Sequence, residues 1–455
     1  MCGLAGGIGV KPGLVEQMLE RIAHRGPDGR GIVESGPVVH GHVRLALVDL
    51  TSASAQPFRR GGSVLSFNGE VWNFCELRAD LEAAGDAFST TGDTEVLAAW
   101  LSRFGLARLA EIDGMFAFAF SDAVGGHWLV RDSFGKVPLY VARVAGGYLW
   151  ASERKAFPPR IKPIAVPPGH VFDLTTGRFS AWYRAPAGQA TTASDVLALL
   201  RRGVIKRLSA DAPVCCLISG GLDSSLVLAL AVKERPDVVA FTAVFDERSS
   251  DLASARRLCK QFGVRLIEVP VAVDTDAVAR AIRSIEIPSK AQIEIAVLCI
   301  PLAQRIYAEG FRACLSGEAA DELFGGYGNF CIKASKLRDD QIPALRREQL
   351  AKMARGNFVR CNKAFMAAGV ECRLPFMEQE LVERAVTLGK VASPTGKKLL
   401  KEAARGLLPA WIINRVKDTF QGASGVSEAL AGMIASPTIF YNAELRSTFG
   451  YLPKD

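Results

Sequence analysis

The sequence predicts two fold classes joined end to end: an α+β first half and an α/β second half carrying a parallel sheet. Over the first 180 residues, short β-like segments at 41–50 (GHVRLALVDL), 63–72 (SVLSFNGEVW), 114–122 (GMFAFAFSD) and 147–152 (GYLWAS) are broken by glycine-rich turns. Helical periodicity covers 13–24, 74–84 and 94–110. At 184–194 the stretch RAPAGQATTAS has no apolar period and reads as a linker. Beyond it, strands and helices alternate: 213–218 (PVCCLI), a glycine turn, a helix to 234, 238–245 (VVAFTAVF), a helix to 263, 264–271 (VRLIEVPV), two helical stretches and 312–316 (RACLS). Repeated strand–helix units build a parallel sheet with helices on both faces. The last 130 residues read as largely helical. Two domains follow, 1–185 and 195–455.

At 455 residues the chain suits two or three cores, and 49% hydrophobic with 22% charged residues is ordinary for a folded soluble protein. No uninterrupted apolar run reaches the roughly 18 residues of a membrane span, and the opening lacks a basic segment ahead of an apolar one, so a cytoplasmic protein without membrane contact is expected. The ten cysteines are scattered, with no C-x-x-C and one adjacent pair, Cys215 and Cys216; this is neither a disulfide framework nor a zinc signature. All five histidines lie in the first 170 residues, so the chemistry of the second half uses no histidine. The net charge of +8 is dispersed, which fits anionic small molecules better than nucleic acid.

Cys2 admits two readings: a small apolar residue at the start of a buried strand, or a nucleophile. If Met1 is removed, Cys2 carries a thiol and a free α-amine together, and an α-amine with a pKa of roughly 7.7–8.0 can serve as base for its own side chain.

The stretch SGGLDSS (219–225) follows an apolar strand and opens a helix. Gly220 and Gly221 let backbone N–H groups approach an anion, the helix N-terminus adds positive partial charge, and Ser219, Ser224 and Ser225 offer hydroxyls. Asp223 would repel phosphate unless a divalent cation stood between them, which implies magnesium. The Walker A pattern is absent. A second turn, LSGEAADELFGGY (315–327), brings Ser316, Gly317, Glu318, Asp321 and Glu322 after another predicted strand. In a parallel sheet both turns fall at the carboxyl ends of strands, where such folds bind ligands.

These residues resemble a known family. SGGLDSS is similar to the pyrophosphate loop of ATP pyrophosphatases, and together with LSGEAADELFGGY it resembles the synthetase domain of glutamine-hydrolysing, B-type asparagine synthetases. In the first half CGLAGG, HRGPDG (24–29), VRLALVDL (43–50), FNGEVWN (67–73), GDTEVL (92–97), IDGMFAFAF (112–120), RDSFGKVPLY (131–140) and ASERKA (151–156) resemble, in order, the motifs of class II glutaminase domains. NKAFMAAGVECRLPFME (362–378) and NRVKDTFQG (414–422) are similar to the family's C-terminal motifs. The resemblance implies an αββα sandwich of the N-terminal-nucleophile type, followed by an ATP-pyrophosphatase fold.

It also implies roles. Cys2 would attack the side-chain amide of glutamine, with Asn68 and Gly69 as oxyanion hole, Arg44 on the glutamine carboxylate, and Glu70 and Asp93 on its α-amino group. Ammonia would pass to a second site, where ATP converts an acceptor carboxylate into an acyl-adenylate. Leu217, Val244, Ser316 and Gly317 resemble the family's ATP contacts, Asp223 and Asp321 its magnesium acids, Glu318 its base for the incoming nitrogen, and Lys417 the lysine facing the departing pyrophosphate. Lys333 is a further candidate on the acceptor side. Relatives of this class are often dimers, which leaves a homodimer open.

The acceptor segment departs from the family. Where it carries Thr-Thr-Ile-Arg-Ala-Ser, this chain has Ala291, Gln292, Ile293, Glu294, Ile295 and Ala296, so a cation has become an acid. With Gln292 and Glu294 on the pocket wall, an aspartate acceptor would meet like charge. Ala319 replaces a glycine, Glu378 an aspartate, and the tail beyond Gly425 loses the family pattern. The expectation is a glutamine-dependent amidotransferase acting on a carboxylic acid other than aspartate. The alternatives are asparagine synthetase itself, an intramolecular ligase resembling β-lactam synthetases, and a nucleotide-binding scaffold without turnover.

Overall fold

In the computed structural model the first half is built around two six-stranded antiparallel sheets. One runs in the order Ile164–Ala165, Tyr140–Val144, Gly147–Ala151, Gly3–Ile8, Val38–Arg44, Gly29–Ser35. The other runs Arg178–Ala181, His170–Asp173, His127–Arg131, Gly114–Ser121, Ser63–Val71, Phe58–Arg60. Structure is described for residues 1–186, 189–389 and 395–415, and near the end for 429, 430, 432, 434 and 437–453.

Alternation along the central strands explains the layering. Leu4, Val38, Met115, Ala117 and Trp150 belong to one buried cluster shared by both sheets, while Phe116, Phe118 and Phe120 face outward onto helices Phe74–Ala83 and Asp93–Phe104. Val15, Met18 and Leu19 of helix Pro12–Arg21 cover the outer face of the first sheet. The result is an αββα sandwich. Two sequence expectations shift in detail. The strand expected over 41–50 ends at Arg44, since Asp49 takes a left-handed conformation (φ 50°) and its carbonyl turns back to the Arg44 guanidinium. The helix expected over 94–110 stops at Phe104, where Gly105 (φ 57°) reverses the chain.

The second half holds a five-stranded parallel sheet ordered Leu266–Pro270, Ala240–Val244, Val214–Leu217, Ala313–Leu315, Glu371–Arg373. The chain leaves Val214–Leu217 to one side and returns on the other, so the two loops after Val214–Leu217 and Ala313–Leu315 flank the point where strand order reverses. The fifth strand lies inside a stretch expected to be helical. At three residues, two of them charged, it has no readable period; pairing with Ala313–Leu315 makes it a strand. Cysteines scattered in sequence become neighbours, because Cys215, Cys314 and Cys372 sit side by side on adjacent strands. Helix Lys290–Ala308 has the length and apolarity of a membrane span, yet it packs as a core helix against Thr275–Ile285 and Asn357–Met366.

Polar contacts join the halves. The Glu286 carboxylate accepts from the backbone N–H groups of Arg154 and Lys155 at 2.9 and 2.8 Å, and pairs with buried Lys363. Arg25 Nη2 donates to Asn362 Oδ1 at 2.9 Å, and Asp49 N donates to Asp211 Oδ2 at 2.7 Å.

Candidate active sites

Cys2 lies just ahead of the strand Gly3–Ile8, buried, its Sγ 3.7 Å from the Leu45 carbonyl. Burial pushes its thiol above the ordinary range. Its backbone N–H donates to Asn68 Oδ1 at 2.8 Å, and Asn68 Nδ2 donates to Ser152 Oγ at 3.2 Å, leaving the carboxamide one further N–H. Gly69 follows at φ 145°, where an added Cβ would stand 2.0 Å from the Met115 carbonyl oxygen, so only glycine fits. Arg44 is held by the carbonyls of Thr51, at 2.6 Å, and Asp49. Asp49 in turn accepts from Thr51 N (3.0 Å), Thr51 Oγ1 (2.5 Å) and Thr91 N (2.9 Å), which holds its carboxyl well below the usual range despite partial burial.

Glu70 and Asp93 approach from the second sheet and from the start of helix Asp93–Phe104. Asp93 Oδ2 accepts from Val71 N at 3.0 Å. Burial, reinforced by the Glu371 charge, raises Asp93 to about 6 and lifts Glu70 well above the carboxylate range. Cys2, Arg44, Gly69, Glu70 and Asp93 line one cleft of about 320 Å³. The second half reaches it: Arg373 Nη2 stands 3.4 Å from Glu70 Oε1, Arg373 Nε donates to Glu371 Oε1 at 2.5 Å, and Glu371 pairs with the amino group of Met1.

The other cleft, about 370 Å³, is lined by Ser219, Thr242, Phe245, Asp246 and Leu298 among others. Leu217 and Val244 are the last residues of the strands leading to it. The turn after Ala313–Leu315 touches the glycine turn at 219–225: a Cβ on Gly317 would come 2.6 Å from Ser224 N, and one on Gly220 (φ 75°) 2.2 Å from the Asp251 carbonyl oxygen. Ser219 N and Oγ lie 3.1 and 3.0 Å from Ser224 Oγ, Ser225 is fully buried, and Gly221 caps helix Leu222–Glu234, whose first turn carries Asp223. Ser316 Oγ accepts from Glu318 N at 3.3 Å. Asp223 and Asp321, each in the first turn of a different helix, Leu222–Glu234 and Ala320–Phe324, converge on one cation, the Lys397 ammonium, with Nζ 2.8 Å from Asp321 Oδ1. Two carboxylates sharing a cation this way form an oxygen donor pair that suits magnesium.

The Glu318 carboxylate accepts from Asn357 Nδ2 at 2.8 Å and pairs with Arg360, and Cys361 Sγ is 3.4 Å away. Asn357 Nδ2 also reaches Glu322 Oε1 at 3.0 Å, which accepts from Tyr327 OH at 2.8 Å. Burial, with the charges of Glu318 and Asp321, raises Glu322 to about 7. Gln292 joins through Nε2, 3.0 Å from Asn357 Oδ1.

Glu294, expected on one wall with Gln292, has no described contact with this network. Two residues along a helix is a rotation of about 200°. Its buried carboxylate lies 3.7 Å from Lys290 Nζ and raises the Tyr441 hydroxyl on the C-terminal helix, after burial, to about 12. Lys333 stands exposed on helix Gly328–Ser335 near Glu348, with no described contact to the Glu318 network. Lys417 lies outside the described residues.

A family model described as "Glutamine amidotransferase domain" matches residues 1–167, and one described as "Asparagine synthase" matches 195–356 and 339–436. The Escherichia coli (strain K12) protein named asparagine synthetase B [glutamine-hydrolyzing] is 31% identical over 94% of this chain and 83% of its own length. The chain belongs to the asparagine synthase family. A relative from Arabidopsis thaliana, asparagine synthetase [glutamine-hydrolyzing] 1, is 29% identical over 94% of this chain and 79% of its own. A solved glutamine phosphoribosylpyrophosphate amidotransferase from B. subtilis matches with a TM-score of 0.37 and 17% identity, over 76% of this chain and 79% of that one.

In this asparagine synthase family member, sequence reasoning missed Asp49, Asn357, Arg360, Glu371, Arg373 and Lys397. Arg373 and Glu371 fall inside the quoted 362–378 motif, but nothing local says that they reach a cleft built by residues 2–93. Lys397, in GKKLL, carries no local signal at all.

Proposed function

We propose that the chain is an ATP-dependent carbon–nitrogen ligase that takes ammonia from glutamine and amidates a carboxylic acid other than aspartate. Residues 1–185 form the glutaminase unit and 195–455 the adenylating unit.

At the first site Cys2, freed of Met1, passes its thiol proton to its own α-amine, and the thiolate attacks the glutamine side-chain carbonyl. The oxyanion meets the remaining N–H of Asn68 and the backbone N–H of Gly69. Ammonia leaves, and water cleaves the thioester to glutamate. Glu70 and Asp93 are two buried carboxylates whose ionised forms burial disfavours, so a cationic ligand relieves them. That suits the glutamine α-ammonium, with Arg44 on its carboxylate.

At the second site the glycine loops 219–225 and 316–318 offer N–H groups and hydroxyls to the ATP phosphates. Magnesium bound by Asp223 and Asp321 would neutralise charge on the leaving pyrophosphate. The acceptor carboxylate attacks the α-phosphorus, ammonia then attacks the acyl carbon, and Glu318 takes the proton from the incoming nitrogen as AMP departs.

One observation carries the acceptor reading. The chain of residues leading to Glu318 consists of amides and carboxylates, Gln292, Asn357 and Glu322, and Arg360, the one cation in its described hydrogen bonds, is already taken by Glu318. Among the described residues of this network a dicarboxylate such as aspartate meets no uncommitted cation for its second charge, whereas a neutral or amine-bearing acid needs none. Aspartate remains the second reading, favoured by relatives named asparagine synthetases across 94% of the chain. A screen of acids for acid-dependent pyrophosphate release with glutamine present, read by product mass, separates them. Efficient asparagine formation from aspartate would overturn the first reading; no release with any acid would favour the scaffold alternative.

A further inference from the structure

Lys397 is placed with more care than a surface lysine requires. Its side chain is 6% exposed, and its backbone adopts φ 60°, directly after Gly396 at φ 76°. Two hydrogen bonds clip this turn onto the acid-bearing loop: Gly396 N donates to the Gly325 carbonyl at 2.8 Å and Lys397 N to the Phe324 carbonyl at 3.2 Å. The aliphatic stem then crosses Gly326, where an added Cβ would stand 2.3 Å from Lys397 Cε and 1.9 Å from Asp321 Oδ1. Any other residue at 326 would fill the channel. The ammonium emerges between Asp223 and Asp321, carboxylates from the first turns of two different helices.

We propose that Lys397 is the resident counter-ion of the adenylating site, its ammonium holding the position between Asp223 and Asp321 that a divalent cation takes only when ATP arrives. This rests on the reading of these aspartates as metal ligands. Without a cation, two carboxylates directed at one point would repel one another. The tethered ammonium offsets that repulsion and holds the two acid-bearing segments together. A divalent cation arriving alone must expel the ammonium and brings no anion to receive it. One arriving with ATP brings phosphate oxygens, so the displaced ammonium keeps an anionic partner. The lysine thus makes metal binding conditional on nucleotide.

Manganese uptake by the full-length protein, read by electron paramagnetic resonance of the free ion, tests this. Wild type should bind manganese weakly alone and at least tenfold more tightly with ATP. Lys397→Met and Lys397→Gln should each bind it at least tenfold more tightly than wild type without nucleotide, and Lys397→Arg should behave as wild type. A thermal melt of each variant establishes that it is folded. Unchanged or weaker nucleotide-free binding in both neutral variants would overturn the role of Lys397 while leaving the aspartates as ligands. Absence of manganese uptake by wild type even with ATP would overturn the metal reading itself, and this inference with it.

Discussion

The amino group of Met1 is paired with the carboxylate of Glu371, a residue 370 positions away on the edge strand of the other half's sheet. Met1 is 2% exposed, and Asn362 Nδ2 lies 2.7 Å from its sulfur, so the residue is locked into the seam between the halves. While it is there, the nitrogen of Cys2 is an amide that donates to Asn68 and cannot act as a base. Protein that keeps Met1 is therefore expected to hydrolyse glutamine at least about a hundred times more slowly than protein starting at Cys2, the scale of a lost general base. Intact-mass analysis beside a glutaminase assay checks this. Because the methionine is buried, a methionine aminopeptidase should remove it from unfolded chain far faster than from folded protein. Equal rates would show that the seam opens readily.

Asp93 should give the proposed glutamine site an acidic limb. Burial, reinforced by Glu371 and opposed by the Val71 N–H, raises it from 3.8 to about 6. Its folded value lies above its unfolded one, so its contribution favours the folded state below about pH 4 and is lost as the pH rises through about 6. Activity runs the other way, since an ionised carboxylate is needed to hold an ammonium. The kcat/KM for glutamine should fall about tenfold per pH unit below about pH 6. Asp93→Asn should lower kcat/KM throughout and flatten that limb, and a pH profile of both proteins measures it. A limb that persists in the variant would assign it to another group.

Ala319 sits at φ 81°, a left-handed conformation in which its Cβ crowds the following carbonyl, and it is buried just after the catalytic candidate Glu318. Ala319→Gly should raise stability by about 1 kcal/mol, the cost of a non-glycine residue in this region less the extra freedom of the unfolded chain. Denaturant unfolding of the two proteins would show it. A loss of stability would mean that the methyl group packs well enough to outweigh the strain.

The clefts differ in how far the sequence exposes them. Residues that act through their own loop are readable: Gly69 in FNGE, Gly220 in SGGLDSS and Asp93 at a helix start each owe their role to local backbone geometry. Residues that act across the fold are not. Glu371 and Arg373 meet Glu70 only because a three-residue strand is held at the sheet edge by its neighbour, and Lys397 reaches Asp223 from 174 residues away. Helical phase is an intermediate case. Helical stretches between 271 and 312 are readable, yet the partner of each face decides that Gln292 turns to Asn357 and Glu294 to Tyr441.

Asn357 offers the sharpest separation of position from chemistry. One amide nitrogen donates to Glu318 at 2.8 Å and to Glu322 at 3.0 Å, holding together two carboxylates that would otherwise repel, while its oxygen accepts from Gln292. Removing a donor from partly buried acceptors costs about 1–3 kcal/mol, which is roughly five- to 150-fold in rate if the loss falls on the adenylating step. Asn357→Ala should reduce acid-dependent ATP–pyrophosphate exchange by that factor. Donation to a carboxylate favours its ionised form, so its loss should also move the acidic limb of that exchange to higher pH. Asn357→Gln, which keeps the donor, should recover part of the rate and return the limb toward its original position. A general loss of structure would lower the rate without moving the limb, so an unshifted profile in Asn357→Ala would remove Asn357 from the positioning of Glu318.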